Sequence, residues 1–208
     1  MVMYIKFPNF FIIFFSFLFL PFFAFSQSDS IRELKLWEDY YENGTLKTQS
    51  FFLDSLAHGL YKSFYRNGNL EQIGYFSYGK REGKWKYFFE NGDIEQIGYY
   101  ENNFAEGIWR GYHKDSVLAE EGEFVNGLEQ GFWRYYYANG VLQQKGNYSK
   151  GNPVGNWIWY SDKGSVTMQG SFKDGKKNGF WKYFQSDGRT KLKEELWEDG
   201  VLVATKKF

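Results

Sequence analysis

The stretch "NGNLEQIGYF" at residues 67–76 returns almost unchanged as "NGDIEQIGYY" at residues 91–100, 24 positions later. The same spacing holds along the chain without slippage. The second position of the Asn-Gly pair, or of its equivalent, falls at Gly44, Gly68, Gly92, Ser116, Gly140, Gly164 and Gly188. Self-similarity at a fixed period of about 20–50 residues is the signature of a repeat architecture.

Other columns of the unit keep the same phase. Six positions after the turn glycine lies a small residue, and two positions later lies an aromatic one. The small residues are Ser50, Gly74, Gly98, Gly122, Gly146 and Gly170. A later column holds Tyr61, Trp85, Trp109, Trp133, Trp157 and Trp181. The sequence therefore repeats one structural unit, and Trp37 and Tyr40 supply a half unit before Gly44.

Each unit predicts two short strands and two turns. In the unit of residues 68–92, "NLEQIGYF" and "KWKYFF" alternate and are rich in aromatic and branched residues, as strands are. The "ENG" between units is a hairpin-turn signal, because glycine tolerates the positive φ of tight turns. The sequence predicts an all-β fold: an elongated array of stacked antiparallel β-hairpins in a single twisted meander sheet.

Stacking of hairpins is required, because one 24-residue hairpin cannot bury its own aromatic face. We expect ladders of rings, with Trp85 near Trp109 and Phe76 near Tyr100, each ring burying about 150–250 Å². The alternative is that these columns form a platform on which glycans stack. The glycine column leaves room for a facing ring or lets the strand bend. Because Trp85 and Phe88 are three apart, either the strand bulges between them or both faces are aromatic.

Composition narrows the possible functions. The chain has 208 residues, 25 basic and 25 acidic side chains, two histidines and no cysteine. A balanced charge gives no global field to attract nucleic acid. The histidines, His58 and His113, lie more than two repeats apart, and no known catalytic motif occurs. We therefore predict no catalytic residues, no cofactor site, no metal site and no nucleic-acid partner, so that the protein is not an enzyme.

The N-terminal residues differ from the rest. Residues 1–26 have one charge, a run rich in Phe, Ile and Leu, and a small-residue exit typical of a signal peptide cleaved before Gln27. An uncleaved N-terminal anchor is the alternative, and both place the repeats outside the cytoplasm, in the periplasm, at the cell surface or beyond. Residues 27–36 form a linker or cap. The repeat domain spans 37–208, with a half unit at 37–43 and units starting near 44, 68, 92, 116, 140, 164 and 188.

The unit "NGVLQQKGNYSKGNPVGNWIWYSDKG" at residues 139–164 resembles the MORN repeat, in the variant form of the bacterial YwqK-type antitoxin family. The matching features are the NG-x-L opening, the G-x-Y and the later G-x-W-x-x-Y. The resemblance covers about residues 37–200. It implies a β-hairpin ribbon that binds proteins and in some cases lipid. The antitoxin family implies a toxin partner.

Variation between units suggests two binding surfaces. Five and seven positions after the turn glycine, the residues are apolar or aromatic in the first units and polar in the later ones. The predicted partner-binding residues are Phe51, Ile73, Tyr75, Ile97 and Tyr99. An exposed apolar patch marks an interaction site. The alternative is that residues 27–36 or a curled ribbon cover these side chains.

A basic column follows the Trp column: Lys62, Lys86, Arg110, Arg134 and Lys182. These cations are suited to an anionic polymer or to lipid headgroups, or they are solvated side chains lying over aromatic rings. The leading hypothesis is a secreted, non-enzymatic scaffold that binds another protein. The alternatives are a module that binds envelope polysaccharide or lipid, and an antitoxin or immunity protein against a secreted toxin.

Overall fold

The computed structural model describes residues 33–208, and within them fifteen strands form one open antiparallel sheet in which sequence neighbours are spatial neighbours. This confirms the predicted all-β meander. The strands are β1 (Lys35–Tyr40), β2 (Leu46–Leu53), β3 (Leu56–Phe64), β4 (Leu70–Ser77), β5 (Lys80–Phe88), β6 (Ile94–Glu101), β7 (Phe104–Tyr112), β8 (Leu118–Val125), β9 (Leu128–Tyr136), β10 (Leu142–Ser149), β11 (Asn152–Tyr160), β12 (Val166–Lys173), β13 (Lys176–Phe184), β14 (Lys191–Glu198) and β15 (Val201–Lys207).

The first strand begins at Lys35, so the sheet takes in residues 35 and 36 as well as the repeat region of 37–208. The signal peptide assigned to residues 1–26 lies outside the described residues, as does most of the linker assigned to 27–36.

The Asn-Gly turns form the hairpins that the sequence predicts. Between β3 and β4, the Gly68 N–H donates to the Tyr65 carbonyl at 2.9 Å, and the Tyr65 N–H donates to the Asn69 carbonyl at 2.8 Å. Gly68 has a φ of +90°, which side chains with a Cβ rarely adopt. The Asn67 side chain accepts a hydrogen bond from the Asn69 N–H and so fixes the turn further.

One face of the sheet carries a continuous ladder of aromatic rings. The two predicted columns interleave in it, because each Trp lies edge-on between two aromatic residues of the other column. Trp85, for example, lies 5.2 Å from Phe76 and 5.9 Å from Tyr100, and Tyr100 lies 5.0 Å from Trp109. The ladder continues through Phe124, Trp133, Tyr148, Trp157, Phe172 and Trp181. These five tryptophans are at most 4% exposed, so this face holds the core.

The glycine column makes room for the tryptophans. A Cβ built on Gly74 would lie 2.1 Å from the Trp85 ring, and one on Gly98 would lie 2.1 Å from the Trp109 ring. In the first unit the column holds Ser50 instead of glycine, and the residue paired with it is Tyr61 instead of a tryptophan. Of the two reasons that the sequence offers for these glycines, space for a facing ring is therefore confirmed.

The pairing of β5 explains the three-residue spacing between Trp85 and Phe88. The pairing of β5 with β6 shifts register between Tyr87 and Phe88, which confirms a bulge. Tyr87, two residues after Trp85, lies on the ladder face with its ring centroid 6.2 Å from that of Trp85.

Candidate functional site

Alternation along each strand gives the sheet a second face, opposite the aromatic ladder. Each ladder tryptophan is flanked in sequence by residues that point to this second face. Since the described residues form a single sheet, no second layer made from them covers it. The second face is therefore the candidate binding surface.

A row of directly opposed residues crosses the middle of the second face from β1 to β15. We call it the central row. Its members, in strand order, are Glu38, Gln49, Lys62, Ile73, Lys86, Ile97, Arg110, Glu121, Arg134, Lys145, Ile158, Gln169, Lys182, Glu194 and Lys206. The predicted basic column and two of the predicted partner-binding residues lie in this row. The two surfaces that the sequence suggested are thus one surface, on which cations and isoleucines alternate from Lys62 to Arg110.

The predicted partner-binding residues all lie on the second face. Tyr75 and Tyr99 are 46% and 49% exposed, whereas Phe51, Ile73 and Ile97 are half-buried by their neighbours. Neither tyrosine ring belongs to the ladder. The centroid of the Tyr75 ring lies 6.2 Å from that of the His58 ring. The five predicted residues thus share one face, and Tyr75 and Tyr99 are the most exposed of the five.

Sequence reasoning missed the residue immediately before each tryptophan or its equivalent. Leu60 lies directly opposite Tyr75, and both Leu60 and Ile108 are exposed on the second face. The period of two in the strand was the signal that could have found them. We define the apolar patch as Leu60, Ile73, Tyr75, Ile97, Tyr99 and Ile108.

The expectation that the second face is polar in its later half needs correction. Exposed Phe132 and Phe180 and half-buried Ile158 lie there. Their opposed neighbours are mostly polar, since Phe132 faces Asn147 and Ile158 lies between Lys145 and Gln169. Apolar side chains therefore occur along the whole face, but they are contiguous in β3–β7.

A recess of about 270 Å³ opens in the apolar patch beside Gly74. Leu60, Ile73 and Tyr75 line it together with Lys84 and Lys86.

Four repeats later, a second recess of about 310 Å³ occupies the equivalent place beside Gly170. Its lining replaces Leu60, Ile73 and Tyr75 by Asn156, Gln169 and Ser171. The backbone thus builds a similar hollow at both positions, but in the second one polar side chains lie beside Ile158 and Phe180.

Charges on the second face are balanced unevenly. In the middle of the array, Glu121 forms ion pairs with Arg110 at 3.6 Å and with Arg134 at 3.0 Å. By contrast, no carboxylate among residues 33–208 lies within ion-pairing distance of Lys62, Lys84 or Lys86. These three lysines therefore form no ion pair with the described residues, while Glu82 lies directly opposite Tyr75 and Glu106 directly opposite Tyr99.

The basic column and the tryptophan column lie on opposite faces of the sheet. The ladder tryptophans are also covered by their neighbours, so their ring faces offer little area on which a sugar could stack. A glycan therefore could not contact both columns at once.

Both histidines make contacts that hold the fold together. His113 Nε2 lies 2.9 Å from the Tyr136 carbonyl, and since a carbonyl only accepts, Nε2 carries the proton. Two units earlier, Tyr65 occupies the position of His113, and its hydroxyl donates the equivalent hydrogen bond to the Phe88 carbonyl at 2.6 Å. His58 Nδ1 accepts from the Tyr78 N–H at 3.3 Å.

A carboxyl group interrupts the aromatic residues of the ladder face. Glu120 lies against Gly111, and Gly111 occupies the position that Tyr87 and Tyr135 hold in the neighbouring units. Burial, and then the charge of Glu129, raises the pKa of this carboxyl. In the part of the chain that the structure covers, no group of three or more His, Cys, Asp or Glu side chains is placed to hold a metal ion.

The last unit contains a second buried carboxyl, Glu195, in the column where the first unit has Ser50 and the units between have glycine. Burial alone would raise the pKa of Glu195, but hydrogen bonds from Lys193, Tyr183 and Trp197 lower it to about 2. The same arrangement raises the pKa of Tyr183 to about 12, through burial and the hydrogen bond to Glu195. This cluster stabilises the end of the ladder.

Comparison with known families agrees with the repeat geometry. The model of the MORN repeat variant family matches residues 35–54, 57–78, 81–102, 105–126 and 130–150, together more than half of the chain. Each matched segment spans two strands joined by an Asn-Gly-type turn, such as β3 and β4. A search of curated proteins finds no match. Among residues 33–208, no helix has the length and apolarity to cross a bilayer. MORN repeats generally mediate protein or membrane interactions. The chain belongs to the MORN repeat variant family.

Proposed function

We propose that the protein is an exported, non-enzymatic scaffold that binds another protein through the apolar patch on its second face. The observation that carries this proposal is the contiguous set of apolar side chains on a face that no described layer covers. Monomeric proteins rarely expose such contiguous apolar area unless it serves an interaction. Tyrosine is also enriched at the energetic centres of protein interfaces.

The charge pattern and the two-faced arrangement favour a protein partner over a polysaccharide. The tryptophans on which a sugar would stack are buried in the core, whereas two of the exposed rings on the second face, Tyr75 and Tyr99, lie among isoleucines. The contacts of His58 and His113 support a structural role for both. The amino-acid pattern of residues 1–26 supports export, and N-terminal sequencing of the purified protein should then begin at Gln27.

The test is affinity capture from cell-envelope extract with the full chain, tagged at its C terminus. The comparison variant carries Tyr75→Ser and Tyr99→Ser. The matched control carries Phe132→Ser and Phe180→Ser, which removes exposed rings from the same face three strands or more away. We expect one protein, identified by mass spectrometry, to be held by the wild type and the control and lost from the Tyr75→Ser, Tyr99→Ser variant.

Circular dichroism would establish that all three proteins are folded. Equal capture by the two variants would contradict the assignment of the site. Loss of the fold in the Tyr75→Ser, Tyr99→Ser variant alone would show that these rings belong to the core.

A further inference from the structure

We propose that the occupant of the apolar patch is an acidic amphipathic helix of the partner protein, whose carboxylates meet Lys62, Lys84 and Lys86. This inference rests on the proposed function and adds the chemistry and conformation of the partner. Three features of the second face carry it: unbalanced charge, the lining of the recess and the spacing of the central row.

Cations of the central row differ in their ion pairs. Arg110 and Arg134 share the single carboxylate of Glu121, which balances one of their two charges. Lys62 and Lys86 occupy equivalent positions of earlier units without such a partner among residues 33–208, and Lys84 lies beside them. Complementary charge across an interface selects the partner and speeds its association. Around Leu60 and Ile73, where the three lysines lie, the patch selects an apolar surface bordered by carboxylates, whereas Glu82 and Glu106 border its Tyr99 end.

The recess gives the apolar component of the same partner. Leu60, Ile73 and Tyr75 supply its apolar wall, and the stems of Lys84 and Lys86 close it. Its volume of about 270 Å³ exceeds that of one large aliphatic or aromatic side chain. An inserted Leu or Phe would place its neighbours on the helix close to the lysine ammonium groups.

The spacing of the central row distinguishes a helix from a strand. Lys62 and Lys86 are separated by one strand, so they lie about 9.6 Å apart, with Ile73 between them. On a helix, residues i and i+7 share a face and lie about 10.5 Å apart, with i+3 and i+4 between them. Same-side residues of an extended peptide recur about every 6.7 Å, which does not match. Glu at i and i+7 with Leu at i+3 and i+4 therefore fits this row.

Sheet twist limits the length of the contact. Neighbouring strands rotate by about 20–25°, so a straight helix keeps contact with only a few of them. The apolar patch lies on β3–β7, and Arg110 on β7 is already paired. The helix therefore lies across β3–β6, which is about 14 Å, or about three helical turns.

The test uses a synthetic helical peptide of about 18 residues with Glu at i and i+7 and Leu at i+3 and i+4 in its middle turns. Two comparison probes accompany it: the same peptide with Lys in place of Glu, and vesicles of phosphatidylcholine with or without phosphatidylserine. Binding to the full chain is measured by fluorescence anisotropy for the peptides and by co-sedimentation for the vesicles.

We expect the acidic peptide to bind more tightly than the lysine peptide, with an affinity that falls as salt rises. Lys86→Glu should weaken this binding about tenfold, since it removes an ion pair and adds repulsion. Lys182→Glu, the same change in the equivalent recess, should leave it unchanged. The fold should tolerate the first change, because Glu121 already occupies this row.

Failure to bind the acidic peptide, equal affinity for both peptides, or equal loss in Lys86→Glu and Lys182→Glu would overturn the inference. So would binding to anionic vesicles without a preference for the acidic peptide. The captured partner distinguishes this failure from failure of the proposed function. If Tyr75→Ser with Tyr99→Ser releases the partner and Lys86→Glu does not, the scaffold function stands and the acidic helix is wrong.

Discussion

Replacing Gly98 by serine should break the aromatic ladder at Trp109. The backbone at Gly98 is not in the left-handed region, so a side chain meets no backbone strain there. Space is what requires glycine, because a Cβ would lie 2.1 Å from the Trp109 ring. That ring cannot move aside easily, since Tyr100 holds it at 5.0 Å on one side and Phe124 at 5.8 Å on the other.

The magnitude follows from the cost of forcing atoms into a filled core. Overpacking typically costs 1–3 kcal/mol, and a contact this short against a rigid indole belongs at the upper end, about 3 kcal/mol. The stiffer backbone of the unfolded variant offsets about 0.5–1 kcal/mol of this. We therefore expect Gly98→Ser to lower the free energy of unfolding by about 2 kcal/mol.

The chain itself supplies the compensating change. Ser50 and Tyr61 show that serine fits when the opposed ring is a tyrosine. Gly98→Ser combined with Trp109→Tyr should therefore be more stable than the sum of the two single changes predicts, by at least about 1 kcal/mol. Ser50→Ala, in the same column of the first unit, should change stability by less than about 1 kcal/mol.

Urea denaturation followed by tryptophan fluorescence and by circular dichroism measures these energies. Both probes are needed, because repeat arrays can unfold in parts. Additive effects of Gly98→Ser and Trp109→Tyr, or a loss in Gly98→Ser below about 0.5 kcal/mol, would refute the steric explanation.

Two further predictions concern polar groups of the fold. Because the pKa of Glu195 falls from 4.5 to about 2 on folding, its contribution to stability is complete above about pH 4.5 and is lost as the pH falls to about 2. Denaturation across this pH range should show a smaller loss of stability in Glu195→Gln than in the wild type. Identical pH profiles of the two proteins would contradict this prediction. His113→Tyr should keep the hydrogen bond to the Tyr136 carbonyl, whereas His113→Phe should lose about 1 kcal/mol. Thermal unfolding of the two variants checks this, and equal stability would mean that the bond contributes nothing.

Much of the fold could be predicted from the sequence because a repeat is a regular object. The 24-residue period, the alternation of each strand and the Asn-Gly turns specify a meander of hairpins, and the ring columns specify its aromatic core. The column from Gly74 to Gly170 also indicated that rings need space. These are local or periodic properties, which the sequence records directly.

The candidate site was only partly predictable. Period-two alternation placed Ile73, Tyr75, Ile97 and Tyr99 on one face, and the sequence also showed a basic column. It did not show that Lys62 and Lys86 lie in the same row as Ile73 and Ile97, because that depends on the register between strands. That register includes a shift at the glycine column, as between Ile73 and Tyr75 in the β4–β5 pairing.

The amino-acid pattern alone specifies an all-β repeat array with an aromatic core and two variable columns. Three features became visible only in three dimensions: the tryptophans are buried in the core, the cations and isoleucines share the opposite face, and Glu121 pairs with Arg110 and Arg134 while Lys62 and Lys86 have no such partner among residues 33–208. The physical reason is that burial, ion pairing and recess shape depend on which side chains are brought face to face. That depends on the pairing register, which is a property of neighbouring strands together.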